Sequence, residues 1–256
     1  MTSVALRGVT KNFGSVVAVD QADLSVSRGE FLVIVGESGC GKPTMLRLIA
    51  GLETPDSGTL FIDDIPVNDV PPGKRGVQMI FQNYALWPHM KVWDERRYSN
   101  LTLPLKIRHW STAHIAAFLR PLAQRVGVDS TLFQRKPAEL SGGQQQRVAV
   151  ARAMTTAPRI LLMDEPLSNI DPTNRIKMRG EILKFHQEHR LTTIYVTHNL
   201  ADGVALADRI AVMRKGRFEQ VDRVETLIRR PATDYVADFF KAEQFGQRVH
   251  FIETPT

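Results

Sequence analysis

Phe31-Leu32-Val33-Ile34-Val35-Gly36-Glu37-Ser38-Gly39-Cys40-Gly41-Lys42 decides how the rest of the chain must be arranged. Its first five residues form an unbroken apolar run, the pattern of a strand covered on both faces. Three glycines follow within six residues, and then Met45, Leu48 and Ile49 recur at helical spacing. A buried strand, a glycine-rich turn and a helix start bring several unpaired backbone N–H groups to one point. Such a point carries partial positive charge and suits an anion.

The spacing Gly-x-x-x-x-Gly-Lys, from Gly36 to Lys42, is that of a phosphate-cradling P-loop. Gly36, Gly39 and Gly41 let the backbone turn with no Cβ in the way. The amides of Glu37, Ser38 and Cys40 complete a nest for a phosphate, and Lys42 is expected on the β- and γ-phosphates. The candidate nucleotide-binding set therefore runs from Gly36 to Thr44 without a gap. One member departs from the motif. Pro43 stands where a Ser or Thr hydroxyl is needed for Mg²⁺, with Thr44 behind it. Proline supplies neither hydroxyl nor N–H. It also biases Lys42 away from the helical region, although a proline in a first helical turn leaves a helix intact. The reading expects a sound fold with weakened nucleotide affinity and turnover.

Two further segments fit the same chemistry. Leu140-Ser141-Gly142-Gly143-Gln144-Gln145-Gln146-Arg147 places a serine and two glycines at another apparent helix start, a second anion-type site. Ile160-Leu161-Leu162-Met163-Asp164-Glu165 is an apolar strand ending in two carboxylates. Ligands of open α/β sheets bind beyond that carboxyl end. Further strand signals lie at 59–62, 77–81, 192–196 and 209–213, with helical stretches between the later ones. Strand and helix in alternation imply a mainly parallel sheet covered on both faces. Ahead of it, Val4, Leu6 and Val9, then Val17, Val19, Leu24 and Val26, read as short antiparallel strands. From Tyr84 to about Thr155 the pattern turns helical, with Pro88, Pro104, Pro121 and Pro137 expected to break it, as an insertion into the sheet domain.

Bulk properties bound the rest. A chain of 256 residues, 43% hydrophobic and 23% charged, has the make-up of an ordinary globule with a sizeable core. No apolar run reaches the roughly 18 residues that span a bilayer, and Met1-Thr2-Ser3-Val4 opens no signal peptide. A membrane role must then come through a partner. Cys40 is the only cysteine, which excludes an intrachain disulfide and suits a reducing compartment. The net charge of +6 is compatible with polyphosphate or an acidic membrane face and by itself selects neither.

Taken in this order, the glycine loop, the Ser141 run and the Asp164-Glu165 strand resemble the ATP-binding subunit of an ABC transporter, from about Val4 to Phe239. The resemblance implies a P-loop NTPase fold: a RecA-like, mainly parallel sheet, an N-terminal antiparallel β subdomain and an inserted α-helical subdomain. It divides the chain into one cassette domain over 1–240, with core 1–84 and 156–240, helical unit 85–155, and a tail at 241–256. Leu140, Ser141, Gly142, Gly143 and Gln144 are similar to the family signature, which clamps the γ-phosphate bound to a second copy. Asp164 matches the metal-holding aspartate. Glu165 matches the general base, and Gln82 in Phe81-Gln82-Asn83 the glutamine that reaches Mg²⁺ and the attacking water. His198 matches the switch histidine, Ser168-Asn169-Ile170-Asp171 the loop that crosses the dimer interface, and Phe13 the aromatic that stacks on adenine. ATP and Mg²⁺ are the implied ligands. The implied partners are a second ATPase subunit, alike or different, transmembrane permease subunits and an extracytoplasmic substrate-binding protein. The implied location is the cytoplasmic face of the membrane, and nucleic acid is not expected as a partner.

Within the family, Tyr84-Ala85-Leu86-Trp87-Pro88-His89-Met90 and the ending from Arg229 to Phe239 resemble importers of sugars, polyamines or ferric iron. Many of those carry a C-terminal regulatory β-domain, which a sequence running to Thr256 is not expected to hold. A second reading is a catalytically degenerate regulatory subunit of a heterodimer. Pro43, the charged run Lys91 to Tyr98, and Asn199 in place of an acid motivate it. A third is an ABC ATPase acting on DNA or ribosomes, against which stand the single cysteine and single cassette.

Overall fold

A computed structural model describes residues 2–168 and 170–246. In chain order the elements are β1 (Thr2–Phe13), β2 (Val16–Ser27), β3 (Phe31–Val35), α1 (Lys42–Ala50), β4 (Ser57–Ile62), β5 (Ile65–Pro66) and β6 (Val77–Ile80). Then come α2 (Leu103–Ile107), α3 (Thr112–Arg125), α4 (Gly142–Met154), β7 (Ile160–Asp164), α5 (Pro172–His189) and β8 (Thr192–Val196). The last are α6 (Leu200–Leu206), β9 (Arg209–Arg214), β10 (Arg217–Asp222), α7 (Val224–Arg229) and α8 (Asp234–Gly246).

Two sheets organise the chain. One is antiparallel, in the order β2-β1-β4-β5; the other has the order β10-β9-β3-β8-β7-β6. Strands β9, β3, β8, β7 and β6 run parallel, and β10 adds an antiparallel edge to β9. Every residue of β3 and of β8 is buried. The two-residue period of a strand sends their side chains to two separate cores. Phe31, Val33 and Val35 join Leu161, Met163, Tyr195, Ile210 and Val212 beneath α4 and α5. Leu32 and Ile34 join Leu162, Ile194, Val196, Ala211 and Met213 on the other face, packed with α1 and the antiparallel sheet. At about 1.5–3 kcal/mol for each large apolar side chain taken from water, both faces contribute to stability.

Helix α1 lies between the two sheets, with Met45, Leu46, Leu48 and Ile49 in that second core. Buried Arg75 ties down its far end by donating to the carbonyl oxygens of Leu48 at 2.8 Å and Ile49 at 3.2 Å. A cation there complements the helix dipole.

Several expectations need correction. The N-terminal strands are not short: β1 and β2 are each 12 residues long and pair as one irregular hairpin. Helix begins only at Leu103, not at Tyr84, and the preceding stretch is built of turns. Tyr84 and Ala85 both hold left-handed backbone, φ 60° and 45°, which no helix tolerates. Pro121 does not break α3 but sits inside it. The carbonyl of Ala117 that loses its partner belongs to an exposed residue, so water can take it. An additional strand, β10, follows β9 through Lys215-Gly216, φ 45° and 83°, which is hairpin-turn chemistry. The expected tail begins inside α8, and from residue 247 it lies outside the described residues. Among the described residues no helix is long and apolar enough to cross a membrane.

Candidate functional site

The glycine loop leaves the carboxyl end of β3 and enters α1 at Lys42. Close packing dictates two of its glycines. Gly36, at φ 155°, would drive a Cβ into the Met213 carbonyl oxygen. Gly41, at φ 105°, would drive one into the Ala18 carbonyl oxygen. A third support comes from the amide of Gly216, which donates to the Cys40 carbonyl at 2.9 Å. Gly39, at φ 80°, has open space around it and needs glycine for its backbone alone. Burial raises the Cys40 thiol above its usual range, opposed by the Lys42 charge nearby.

Lys42 is 2% exposed, and its ammonium donates to the carbonyl oxygens of Gly36 and Glu37, each at 2.7 Å. It therefore lies within the loop that the motif assigns to it. It is also the first residue of α1, so the expected push of Pro43 on its backbone is overridden. Met45 N–H donates to Gly41 O at 3.0 Å, and the helix starts normally around an exposed Pro43. Thr44 is half-buried behind it.

The parallel register brings the remaining strand ends to the same edge. Asp164 closes β7 opposite Val196 of β8, and Gln82 lies two residues beyond β6. Burial raises the Asp164 carboxyl above its ordinary range, Glu165 adds to this, and Arg47 and Lys42 pull the other way. Glu165 holds φ 45°, and its N–H donates to Val196 O at 2.9 Å. That turn aims its carboxylate at two neighbours. Oε2 accepts from Gln82 Nε2 at 3.3 Å and lies 3.1 Å from His198 Nδ1. Ser168 joins them: its hydroxyl donates to Glu165 O at 2.9 Å and lies 3.4 Å from Gln82 Nε2. Two side chains far apart in sequence, Gln82 and His198, thus meet on the Glu165 carboxylate beyond the ends of β6, β7 and β8.

The signature run is placed elsewhere. Leu140 is buried, while Ser141 is exposed and caps α4 in a reciprocal box with Gln144. Gly142 and Gly143 begin the helix, half-buried, beside a 310 Å³ cleft that Asp171 and Lys177 also line. No residue of the 36–44 loop lines that cleft. Asp171 caps α5 by accepting from Asn174, which holds its carboxyl below the ordinary range. Asn169 lies outside the described residues. Phe13 ends β1 with 46% exposure, its ring 5.4 Å from the Lys11 ammonium and flanked by exposed Val16 and Val17.

Among the described residues no group of three or more His, Cys, Asp or Glu forms a metal centre of its own. The donors present are hard oxygens, chiefly the Asp164 carboxylate, with no hydroxyl at 43. Mg²⁺ keeps several waters and takes one or two carboxylates plus substrate phosphates, so this set fits a phosphate-held Mg²⁺.

Sequence reading missed the groups that hold the His198 loop. Asp202, on α6, is 2% exposed; it pairs with Arg179 and accepts from Tyr195 at 3.3 Å and Thr197 at 3.4 Å. Asn199 caps α6 by accepting from the Asp202 amide. The Asn-x-x-Asp spacing was the available signal.

A family model described as ABC transporter matches residues 19–168. The chain belongs to the ABC transporter family. Among its relatives, the trehalose/maltose import ATP-binding protein MalK of Thermococcus litoralis is 45% identical over 93% of this chain and 64% of its own length. The sn-glycerol-3-phosphate import ATP-binding protein UgpC of Pectobacterium atrosepticum is 45% identical over 93% and 66%. The chain thus spans slightly less than two thirds of these relatives. A solved dimeric structure of the ATP-binding cassette MJ0796, in a post-hydrolysis state bound to ADP and Pi, superposes with a TM-score of 0.75. It is 30% identical, and the match covers 86% of this chain and 98% of that one. The fold is that of the ABC transporter cassette, with its antiparallel N-terminal sheet and its parallel sheet flanked by helices.

Proposed function

We propose that this chain is the ATP-hydrolysing subunit of a membrane ABC importer. The observation that carries the reading is the meeting of Gln82 and His198 on the Glu165 carboxylate, beyond the strand ends that flank the glycine loop. Loop amides and the Lys42 ammonium bind the β- and γ-phosphates, and the Phe13 ring stacks on the adenine. Asp164, with Gln82, holds Mg²⁺, which supplies charge neutralisation at those phosphates. Glu165 takes the proton of the attacking water, and His198 fixes its carboxylate and faces the γ-phosphate. Pro43 withholds one oxygen and one N–H, so this cassette grips Mg-nucleotide more weakly than its motif permits.

Leu140 to Gln144, away from the chain's own loop, serve the triphosphate of a second copy. Two ATP molecules are sandwiched head to tail, with Ser168, Asn169 and Asp171 at the seam. Closure on ATP and opening on hydrolysis form a two-state element biased by ligand. Residues 85–155 act as the helical unit inserted into a core of 1–84 and 156–240. The partners are permease subunits, with an extracytoplasmic binding protein in the full system, and the chain works at the cytoplasmic membrane face. Support for import comes from relatives that are import ATP-binding proteins. The test is phosphate release by the chain assembled with its membrane partners. Mg-dependent ATP hydrolysis that Glu165→Gln abolishes, with nucleotide still bound, is the expected result. Nucleotide binding with no hydrolysis in the unaltered chain would replace it with a regulatory subunit.

A further inference from the structure

Immediately after Gln82 the backbone adopts two consecutive left-handed residues, Tyr84 at φ 60° and Ala85 at φ 45°. Neither is glycine, and such backbone persists only where its surroundings over-determine it. Arg152, from the last turns of α4, supplies much of that constraint. One guanidinium nitrogen donates to Ala85 O at 2.6 Å and the other to Tyr84 O at 2.9 Å. The same group lies 4.8 Å from the centre of the Trp87 ring. The Tyr84 hydroxyl donates to Pro166 O at 3.2 Å, one residue beyond Glu165.

Among the described residues no carboxylate pairs with Arg152. Burial lowers it to about 10, which still leaves it cationic at neutral pH. A half-buried cation is therefore matched, among the described residues, by two carbonyl dipoles and a π face. That arrangement makes the carbonyls costly to release, and the turn costly to relax.

We infer that Arg152 is a positioning residue that clamps the strained Tyr84–Ala85 turn to α4 and thereby keeps Gln82 on Glu165. Helix α4 begins at the Ser141 cap, so Arg152 makes one rigid body of the signature and the segment following Gln82. A tilt of α4 draws both carbonyls with it, and the Gln82 amide leaves the Glu165 carboxylate. Only the kinetic consequence rests on the function proposed above; the clamp itself does not.

Hydrogen exchange of the full chain, read by mass spectrometry over 82–90, tests the clamp directly. Arg152→Gln should raise exchange in that segment by about tenfold or more, the loss of two hydrogen bonds to a charged donor, with β7 and β8 unaffected. Arg152→Lys should recover part of the protection. Ala85→Gly placed on Arg152→Gln should also recover part, because glycine holds positive φ without strain. In turnover, Arg152→Gln should lower kcat roughly 10- to 100-fold with equilibrium ATP affinity within about twofold, the mark of lost positioning. Unchanged exchange over 82–90 overturns the inference. So does exchange raised throughout the chain, or equal loss of affinity and kcat with no recovery in either second variant. If the unaltered chain hydrolyses no ATP, the exchange arm still decides for or against the clamp, and only the proposed activity falls.

Discussion

His198 Nδ1 lies 3.1 Å from Glu165 Oε2, on a histidine whose side chain is 56% exposed and a glutamate whose side chain is 19% exposed. The pairing fixes the glutamate and leaves the histidine reachable by a ligand. His198→Ala should therefore lower ATP hydrolysis roughly 100-fold while nucleotide affinity changes little. Phosphate release and equilibrium binding, measured side by side, check this. A matching fall in affinity would make His198 a binding group instead.

Pro43 is exposed at the second position of an intact helix, so its replacement should not disturb the fold. Pro43→Ser restores a hydroxyl and an N–H at the phosphate end of α1. Each such interaction contributes about 0.5–1.5 kcal/mol net. We expect Mg-dependent ATP affinity to rise about tenfold, with turnover rising too, when the two proteins are titrated with and without Mg²⁺. Equal affinities would mean that water fully replaces the missing ligand.

Ser141 separates two roles that one substitution would confuse. Ser141→Ala loses the cap of α4 and should destabilise the chain by about 1 kcal/mol. Ser141→Asp keeps a capping oxygen and favours the helix dipole, so its urea midpoint should stay near the original. Its negative charge faces any incoming phosphate, and ATP-driven association, followed by light scattering, should disappear. Association that survives in Ser141→Asp would remove the signature run from the dimer seam.

His186 sits on α5 with 7% exposure, its Nδ1 2.9 Å from Thr193 Oγ1 and its ring 5.0 Å from that of Phe31. Burial depresses it below its usual value of 6.5, against the pull of Asp208 and the Gly29 backbone. The unfolded chain therefore takes up a proton at higher pH than the folded one. Stability from this residue is complete above 6.5 and is lost as pH falls through 6.5 toward the folded value. Urea midpoints between about pH 7.5 and about pH 5.5 should fall less in His186→Gln than in the original chain. Parallel slopes would show that other groups carry the effect.

The parts legible in sequence were those built by neighbours in the chain. The β3 run, the glycine spacing from Gly36 to Lys42 and the Ser141–Gln144 box each carry their geometry in a few adjacent residues. Strand register then brought Gln82, Glu165 and His198 together, which spacing alone could not show. Residues 84–102 were misread because their apolar content mimics a helix. Their conformation is held by partners remote in sequence: Arg152 donates to the Tyr84 and Ala85 carbonyls, and the Arg135 and Phe133 carbonyls accept from the Val92 and Trp93 amides. Pro121 misled for the opposite reason: a strong local signal was overridden by burial of Ile115, Leu119 and Leu122 on one helix face.

The phosphate loop is braced from three directions, by the carbonyls of Met213 and Ala18 against Gly36 and Gly41 and by the Gly216 amide on Cys40. Its curvature is thus a product of folding rather than of ligand arrival. Calorimetry of nucleotide association should accordingly register a small heat-capacity change, since little further chain is immobilised. The same bracing makes strand β2 and the β9–β10 hairpin part of the cradle, so a lesion in either, remote in sequence from residues 36–44, should surface as poor nucleotide retention.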